Sequence, residues 1–113
     1  MHYDLLDYEQ ENGLRILNVL MKGTTEGIHR HLDTNEVVLS LQGVIIEHFF
    51  NDNGNVTEEV AVEAGEDIPA IQIEKYRWHS ISPVTDMVVV RATKAGRFSP
   101  KTTELFQKWI KQQ

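Results

Sequence analysis

The stretch GTTEGIHRHLDTNEVVLSLQG, residues 23–43, decides the fold of this chain. In a β-strand the side chains at positions i and i+2 point to the same face, so His29 and His31 are expected to project together. The four turn-forming residues 32–35 let the chain reverse and bring Glu36 in on the next strand. Two imidazoles and one carboxylate that converge in this way form a set that binds first-row divalent metals and leaves coordination positions open.

A third imidazole is available at His79, about fifty residues downstream. Three nitrogens and one oxygen suit Fe(II), Mn(II), Zn(II), Ni(II) or Co(II), and the residue types do not choose among them. The set is too rich in nitrogen for a dedicated calcium or magnesium site. A His-x-His pair alone can also be the polar face of a strand, but Glu36 and the flanking glycines favour one divalent metal ion.

Composition limits what else the chain can be. Its 113 residues, 41% hydrophobic and 25% charged, predict one globular domain. The absence of cysteine excludes disulfides, thiolate metal sites and thiol catalysis. The formal net charge of −6 disfavours nucleic acid as a partner. No apolar run approaches the roughly 20 residues that span a bilayer, and the first ten residues carry acids, not a signal peptide's positive charge. We therefore expect a cytoplasmic protein that does not associate with membranes.

The rest of the sequence predicts an all-β fold, because short β-branched or aromatic runs alternate with turn signals. Asn53-Gly54 predicts a tight hairpin turn between two of these runs. Pro69 predicts that its strand lies at a sheet edge or begins there. The predicted strands cover residues 14–21, 37–41, 44–50, 56–62, 68–73, 78–81 and 87–93.

The two ends of the chain are predicted to lie outside the main fold. Residues 1–13 form an N-terminal arm or an edge strand, and residues 99–113 form a short C-terminal helix. Ser99 and Pro100 suit the cap and the first position of that helix. Its apolar residues recur at i/i+4 spacing and predict a face that docks on the main fold or on a second subunit. They are Leu105, Phe106, Trp109 and Ile110.

The spacing Gly23-x5-His29-x-His31-x4-Glu36-x6-Gly43 resembles the first motif of the cupin superfamily at every position. The second motif is degraded, although His79 stands where its histidine belongs. The usual Pro-x-Gly-x-x before that histidine is replaced by residues 74–78, and the final asparagine is replaced by Pro83. Over residues 14–100 the chain is most similar to the small WbuC-type cupin fold metalloproteins. The shared segments are residues 17–20, 28–31, 53–57, 78–79 and 92–98.

This resemblance implies a double-stranded β-helix, the cupin jelly-roll barrel, over residues 14–98. It also implies a metal ion in the mouth of the barrel, held by His29, His31, Glu36 and His79. Such proteins are generally homodimers. The WbuC group is associated with bacterial surface-polysaccharide gene clusters, where its reaction is not established.

Two further side chains are candidates for acid–base chemistry. His48 shares a strand face with apolar residues and would be catalytic if that face looks into the barrel, whereas a structural hydrogen-bonded histidine is the alternative. Tyr76 could donate a proton above the metal, or could simply be a turn residue. The sequence leaves two functions open. One is a metal-dependent enzyme acting on a small polar molecule such as a sugar derivative, and the other is a non-catalytic metal-dependent binding module in a polysaccharide-related pathway.

Overall fold

A computed structural model describes residues 2–4, 13–24, 26–95 and 103–106, and every regular element in these ranges is a β-strand. The strands are β1 (His2–Asp4), β2 (Gly13–Met21), β3 (His29–His31), β4 (Glu36–Gln42), β5 (Val44–Phe50), β6 (Val56–Glu63), β7 (Ala70–Ile73), β8 (Trp78–Pro83), β9 (Met87–Ala95) and β10 (Thr103–Leu105). The prediction of an all-β fold is confirmed. Within these ranges there is no helix of the length and apolarity that crossing a membrane requires.

The strands form two antiparallel five-stranded sheets. The first sheet has the order β1-β2-β9-β4-β7, and the second has the order β10-β3-β8-β5-β6. Neighbours along the chain often lie in different sheets, as in a jelly roll, so the chain crosses repeatedly from one sheet to the other. The crossing at Gly43, between β4 and β5, is one of these.

The core lies between the two sheets, where alternate residues of each strand point inward. In β5 the buried positions are Ile45, Glu47 and Phe49, and in β9 they include Val88 and Val90. Apolar side chains from both sheets form one cluster. Each apolar side chain removed from water contributes about 1.5–3 kcal/mol, so this cluster supplies the main force that holds the sheets together.

Local sequence signals set the strand ends. The β5–β6 hairpin turns at Gly54, whose φ of 84° is a conformation that glycine adopts without steric cost. The Asn51 side chain accepts hydrogen bonds from the backbone N–H groups of Asn53 and Asn55 and stabilises this turn. β7 begins after Pro69 and lies at a sheet edge, since proline offers no N–H for a ladder.

The segment predicted as an N-terminal arm or edge strand contains β1, which pairs antiparallel with β2 at the edge of the first sheet. His2 stands opposite Asn18 in this pairing. Residues 5–12 lie outside the described residues.

The prediction of a C-terminal helix over residues 99–113 is wrong for Thr103–Leu105, which form strand β10. β10 pairs with β3, and the Arg30 guanidinium donates a hydrogen bond to Glu104 at 2.8 Å. Pairing with the open edge of β3 satisfies backbone groups on both strands, and this long-range gain outweighs the local helical spacing. Phe106 follows β10 outside any regular element, and its backbone N–H donates to the Ile28 carbonyl at 2.9 Å. Residues 99–102 and 107–113 of the predicted helix, which include Trp109 and Ile110, lie outside the described residues.

Candidate metal site

Three histidines meet at one end of the space between the sheets. β3 supplies His29 and His31, β8 supplies His79, and His29 stands directly opposite His79 in the β-ladder. The ring centroids are 4.3 Å apart for His29 and His79, 5.2 Å for His29 and His31, and 5.4 Å for His31 and His79. One ring nitrogen of each histidine lies within 4.8 Å of those of the other two. The predicted convergence of these three residues therefore occurs.

Backbone carbonyls orient two of the imidazoles. Nδ1–H of His29 donates to the Gly27 carbonyl at 2.9 Å, and Nδ1–H of His79 donates to the Arg77 carbonyl at 2.8 Å. Each bond fixes the tautomer that leaves the Nε2 lone pair free, as is usual for metal-binding histidines. On the third ring, Nδ1 of His31 lies 3.5 Å from the Thr103 hydroxyl of β10. Strand β10 therefore contacts His31 on the Nδ1 side of the ring, which faces away from Glu36.

Glu36 approaches the histidines from the opposite sheet. It is the first residue of β4, and its Oε1 lies 3.6 Å from His31 Nε2 and 3.7 Å from His79 Nε2. The predicted set of three imidazoles and one carboxylate is thus brought together, with the histidines from the second sheet and the glutamate from the first. These distances leave space for an ion between the groups.

The electrostatics keep His29 and Glu36 in the protonation states that metal binding needs. Burial, together with the neighbouring His79, lowers the pKa of His29 to about 4, so this imidazole is neutral near pH 7. Burial alone would raise the pKa of Glu36, but the imidazoles of His31 and His79 outweigh it and hold that pKa below its ordinary range. Metal ligands must be neutral imidazoles and ionised carboxylates, and this site supplies both.

The donor set fits a first-row divalent metal ion. Nε2 of His31 and Nε2 of His79 are buried and have no hydrogen-bond partner in the described part of the chain. A buried ring nitrogen without a partner is costly, and both of these atoms face the same point as Glu36. A cation at that point would satisfy all of them at once.

The histidines line a cavity of about 170 Å³ between the sheets, and the carboxyl groups of Glu26 and Glu47 also line it. In β5, Phe49 stands opposite His79 and Glu47 stands opposite Ile81, so Glu47 is one inward step beyond the histidines. Glu26, which accepts a hydrogen bond from the Ile81 backbone, lines the same cavity. The cavity lining therefore contains one fully buried carboxyl, Glu47, and one partly exposed carboxyl, Glu26, besides the histidines.

The carboxyl groups of Glu26 and Glu47 both favour the protonated form in the metal-free protein. Burial, reinforced by Glu26 and Glu36, raises the pKa of Glu47 to about 9. Burial and the charge of Glu36 also raise the pKa of Glu26. Solvent screens Glu26 more than Glu47, because the Glu26 side chain is 38% exposed whereas Glu47 is 1% exposed.

Lys94 is a further charged residue that lines the cavity. Lys94 of β9 stands opposite Glu36 in the ladder, and its Nζ donates a hydrogen bond to Asp33 at 3.1 Å. Its side chain is 2% exposed, so the ion pair with Asp33 is what makes its burial tolerable.

His48 lies on the other face of β5, and the interpretation in which its face looks into the barrel is wrong. Glu47 and its inward neighbours face the cavity, whereas His48 faces outward, where its Nδ1 is 2.6 Å from Glu59 and its Nε2 is 2.8 Å from the Ser82 hydroxyl. It lines a separate, shallower groove with Ser80 and Ser82. Its predicted acid–base role therefore has no support from the geometry.

Tyr76 also lies away from the cavity lining. Its side chain is exposed, and its backbone N–H donates to the His31 carbonyl at 2.8 Å. Its φ of 67° is unusual for a residue other than glycine. Tyr76 stands where the second cupin motif usually has glycine, so the turn is kept although the residue has changed.

Three charged residues of the cavity lining, Glu26, Glu47 and Lys94, were not predicted from the sequence. For Glu47 the signal was weak, because both faces of residues 44–50 are mainly apolar and either could have faced the core. Lys94 falls in a segment shared with the WbuC-type proteins, and Glu26 lies inside the first motif. A charged residue within an otherwise buried strand was the signal that could have found Glu47.

Comparison with protein families gives one match. A model described as a domain of unknown function (DUF6016) matches residues 1–62, which is more than half of the 113 residues. The chain belongs to the DUF6016 family. No curated protein sequence matches this DUF6016 chain.

Solved structures resemble the chain over most of its length. The capsular polysaccharide assembling protein CapF from Staphylococcus aureus is 22% identical with a TM-score of 0.78, over 93% of this chain and 29% of CapF. Protein SO0799 from Shewanella oneidensis is 15% identical with a TM-score of 0.72, over 93% of this chain and 72% of that one. A mutant of Bacillus subtilis oxalate decarboxylase OxdC is 19% identical with a TM-score of 0.71, over 89% of this chain and 26% of OxdC.

These neighbours are cupin-fold proteins, and the likeness shows that this DUF6016 chain has the cupin fold. The chain spans less than a third of the length of the CapF chains that it matches. Within this fold, His29, His31 and His79 are grouped closely enough to hold a metal ion.

Proposed function

We propose that this chain is a WbuC-type cupin that holds one divalent first-row metal ion through His29, His31, Glu36 and His79. Through that ion it acts on a small polar, sugar-like molecule. The observation that carries the proposal is the pair of buried Nε2 atoms, on His31 and His79, that face the Glu36 carboxylate without hydrogen-bond partners. A divalent cation would satisfy two imidazole lone pairs and a carboxylate together.

The residues around the cavity prepare it for such a ligand. The Gly27 and Arg77 carbonyls hold the His29 and His79 rings, and Glu36 stays ionised. A divalent ion bound there would supply Lewis acidity that polarises a carbonyl or hydroxyl oxygen in the open coordination positions. Apolar walls that include Ile16 and Leu20 keep bulk water from that oxygen.

The proposed setting is a polysaccharide-related pathway in the cytoplasm, with the protein acting as a homodimer. The likeness to CapF supports the pathway, since CapF is described as a capsular polysaccharide assembling protein. A CapF structure also contains the inhibitor 3-isopropenyl-tropolone, which supports a small molecule as the ligand. The oligomer is tested by the mass of the purified protein in solution.

A non-catalytic binding module is the second candidate. It is favoured by the positions of His48 and Tyr76, because neither predicted acid–base residue lines the cavity. Incubating the metal-loaded protein with a panel of sugars and nucleotide sugars separates the two functions. New product signals in the NMR spectrum support the enzyme, whereas binding without conversion supports the module.

The metal claim is tested by elemental analysis of the purified protein. We expect close to one first-row divalent ion per chain, and less than a tenth of that in the double variant with His29→Ala and His31→Ala, because two of four ligands are lost. His48→Ala is the matched control, since it removes an outward-facing histidine and should keep the full metal content. Equal metal in the double variant and the wild type, or none in the wild type after titration with metal, contradicts the proposal.

A further inference from the structure

Glu47 is a carboxyl group that the fold buries without providing a partner. Its side chain is 1% exposed, and neither carboxylate oxygen has a hydrogen-bond partner in the described residues. Burying an unpaired polar group costs on the order of 1–3 kcal/mol, and buried polar groups are therefore almost always paired. Unpaired groups of this kind are expected where a ligand is to bind.

No described side chain of the cavity donates a hydrogen bond to Glu47. Lys94, the cation that lines it, is bound to Asp33, and Glu26 already accepts a hydrogen bond from the Ile81 backbone. The other inward side chains near Glu47 are apolar, with Ile45 and Phe49 on the same strand and Ile81 opposite. Asn18 also lines the cavity, but neither Glu47 oxygen has a hydrogen-bond partner in the described residues, so a molecule in the cavity is free to supply one.

Glu47 lies close to the metal site, two residues along the sheet from the histidines. The layer of His29 and His79 is the next one along the sheet, so one inward step, about 7 Å of strand, separates the two layers. A molecule of a few heavy atoms spans this distance. The cavity of about 170 Å³ is close to the roughly 150 Å³ that holds benzene, which limits the occupant to about one sugar ring.

We infer that Glu47 is a specificity-determining residue that binds a hydroxyl group of the molecule held at the metal. The inference rests on the proposed function and narrows the ligand to a small compound with a hydroxyl group beyond the oxygens that would meet the metal. With the metal-binding oxygens held by the ion, that further hydroxyl would reach Glu47. Molecules without that hydroxyl leave the carboxyl unpaired and bind more weakly.

Two probes that differ by one hydroxyl test this inference. Dihydroxyacetone and hydroxyacetone share the same hydroxy-ketone unit, and only the first has the extra hydroxyl. Binding of each to cobalt-loaded protein is followed by the visible absorption of the ion. We expect the wild type to prefer dihydroxyacetone by about tenfold, the size of one well-made hydrogen bond to a buried group.

Variants at Glu47 show whether this residue sets the preference. In Glu47→Met, which keeps the length of the side chain, we expect the ratio of affinities to fall to about one, with hydroxyacetone binding nearly unchanged. Glu47→Gln retains an acceptor and should recover part of the preference. Glu59→Leu is the control, because Glu59 lies on the outer face beside His48 and should leave the ratio unchanged.

The cobalt content of each protein is measured first, so that the two proposals fail differently. A wild type that takes up no cobalt overturns the proposed function and this inference together. Cobalt-loaded proteins that bind neither probe, or that show the same ratio in the wild type and Glu47→Met, overturn the inference alone. Loss of cobalt from Glu47→Met also overturns it, because Glu47 would then be a metal ligand.

Discussion

At the scale of single residues, the positions of the histidines could be read from the sequence and the position of Glu47 could not. His29 and His31 are two residues apart on one strand, so their common direction follows from strand geometry alone. Glu47 and His48 are neighbours in a strand with two mainly apolar faces, and only packing between the sheets decides which one turns inward. If the wrong face of a strand is assigned to the core, every side chain of that strand is placed on the wrong side of the sheet.

Tyr76 adopts a left-handed backbone conformation, and its side chain is 55% exposed. That conformation costs about 1 kcal/mol for a residue with a Cβ, whereas glycine adopts it freely. We therefore expect Tyr76→Gly to raise the free energy of unfolding by about 1 kcal/mol, as measured by urea denaturation. Lys75→Gly, one residue earlier in the turn, is the control and should not stabilise. A less stable Tyr76→Gly protein would show that packing of the ring outweighs the strain.

Glu47 predicts a pH dependence of stability in the metal-free protein. Its pKa is about 9 when folded and near its ordinary value of about 4.3 when unfolded, so between these values the folded state holds a proton that the unfolded state lacks. Stability from this group is therefore present at low pH and is lost as the pH rises towards 9. We expect Glu47→Gln to flatten the fall in the urea midpoint between pH 6.5 and 9.

That pH window avoids His29, whose lowered pKa makes stability fall as the pH drops from about 6.5 towards 4. Glu66→Gln, at an exposed turn, is the matched control and should follow the wild type. Parallel curves for the wild type and Glu47→Gln would refute the shifted pKa.

At the scale of elements, local signals predicted the strands and failed where a distant partner decided the structure. Residues 44–50 were predicted with the bounds of β5, because β-branched and aromatic residues end there at a strong turn. The helical spacing at Leu105 and Phe106 was misleading, since the edge of β3 lies about seventy residues away in sequence and its pairing is not visible locally. Phe106 instead packs edge-on against Trp78, with ring centroids 5.2 Å apart.

The link between β4 and β5 depends on Gly43. Its φ is 84°, and a Cβ there would lie 2.7 Å from the Met87 carbonyl oxygen, a backbone atom that cannot move aside easily. Gly65 has a similar φ of 76° but open space around the same position. The two glycines therefore separate the cost of the conformation from the cost of the clash.

We expect Gly65→Ala to lower the free energy of unfolding by about 1 kcal/mol, from the backbone conformation alone. Gly43→Ala should lower it by about 3 kcal/mol or more, because the clash is added. Thermal and urea denaturation of both variants measure the difference. Equal losses at the two positions would show that the link relaxes around the methyl group.

At the scale of the whole molecule, the two sheets meet at the metal site. The three histidines belong to the second sheet and Glu36 belongs to the first, so a bound ion ties the sheets together at one end of the cavity. The apolar core also holds the sheets together, and several of its side chains line the same cavity. The motif spacing was enough to predict this convergence, because residues 29–36 span only one turn between two strands. The positions of Glu26, Glu47 and the Lys94–Asp33 pair depend on how the two sheets pack, and no local spacing in the sequence predicts that packing.

The most direct test of the metal site is an anomalous difference map from crystals of the zinc-loaded protein, recorded at the zinc edge. We expect one strong peak per chain, about 2.0–2.2 Å from the Nε2 atoms of His29, His31 and His79 and from a carboxylate oxygen of Glu36. A map with no peak among these four residues, or with its main peak beside His48 and Glu59 on the outer face, would contradict the proposed metal-binding cupin.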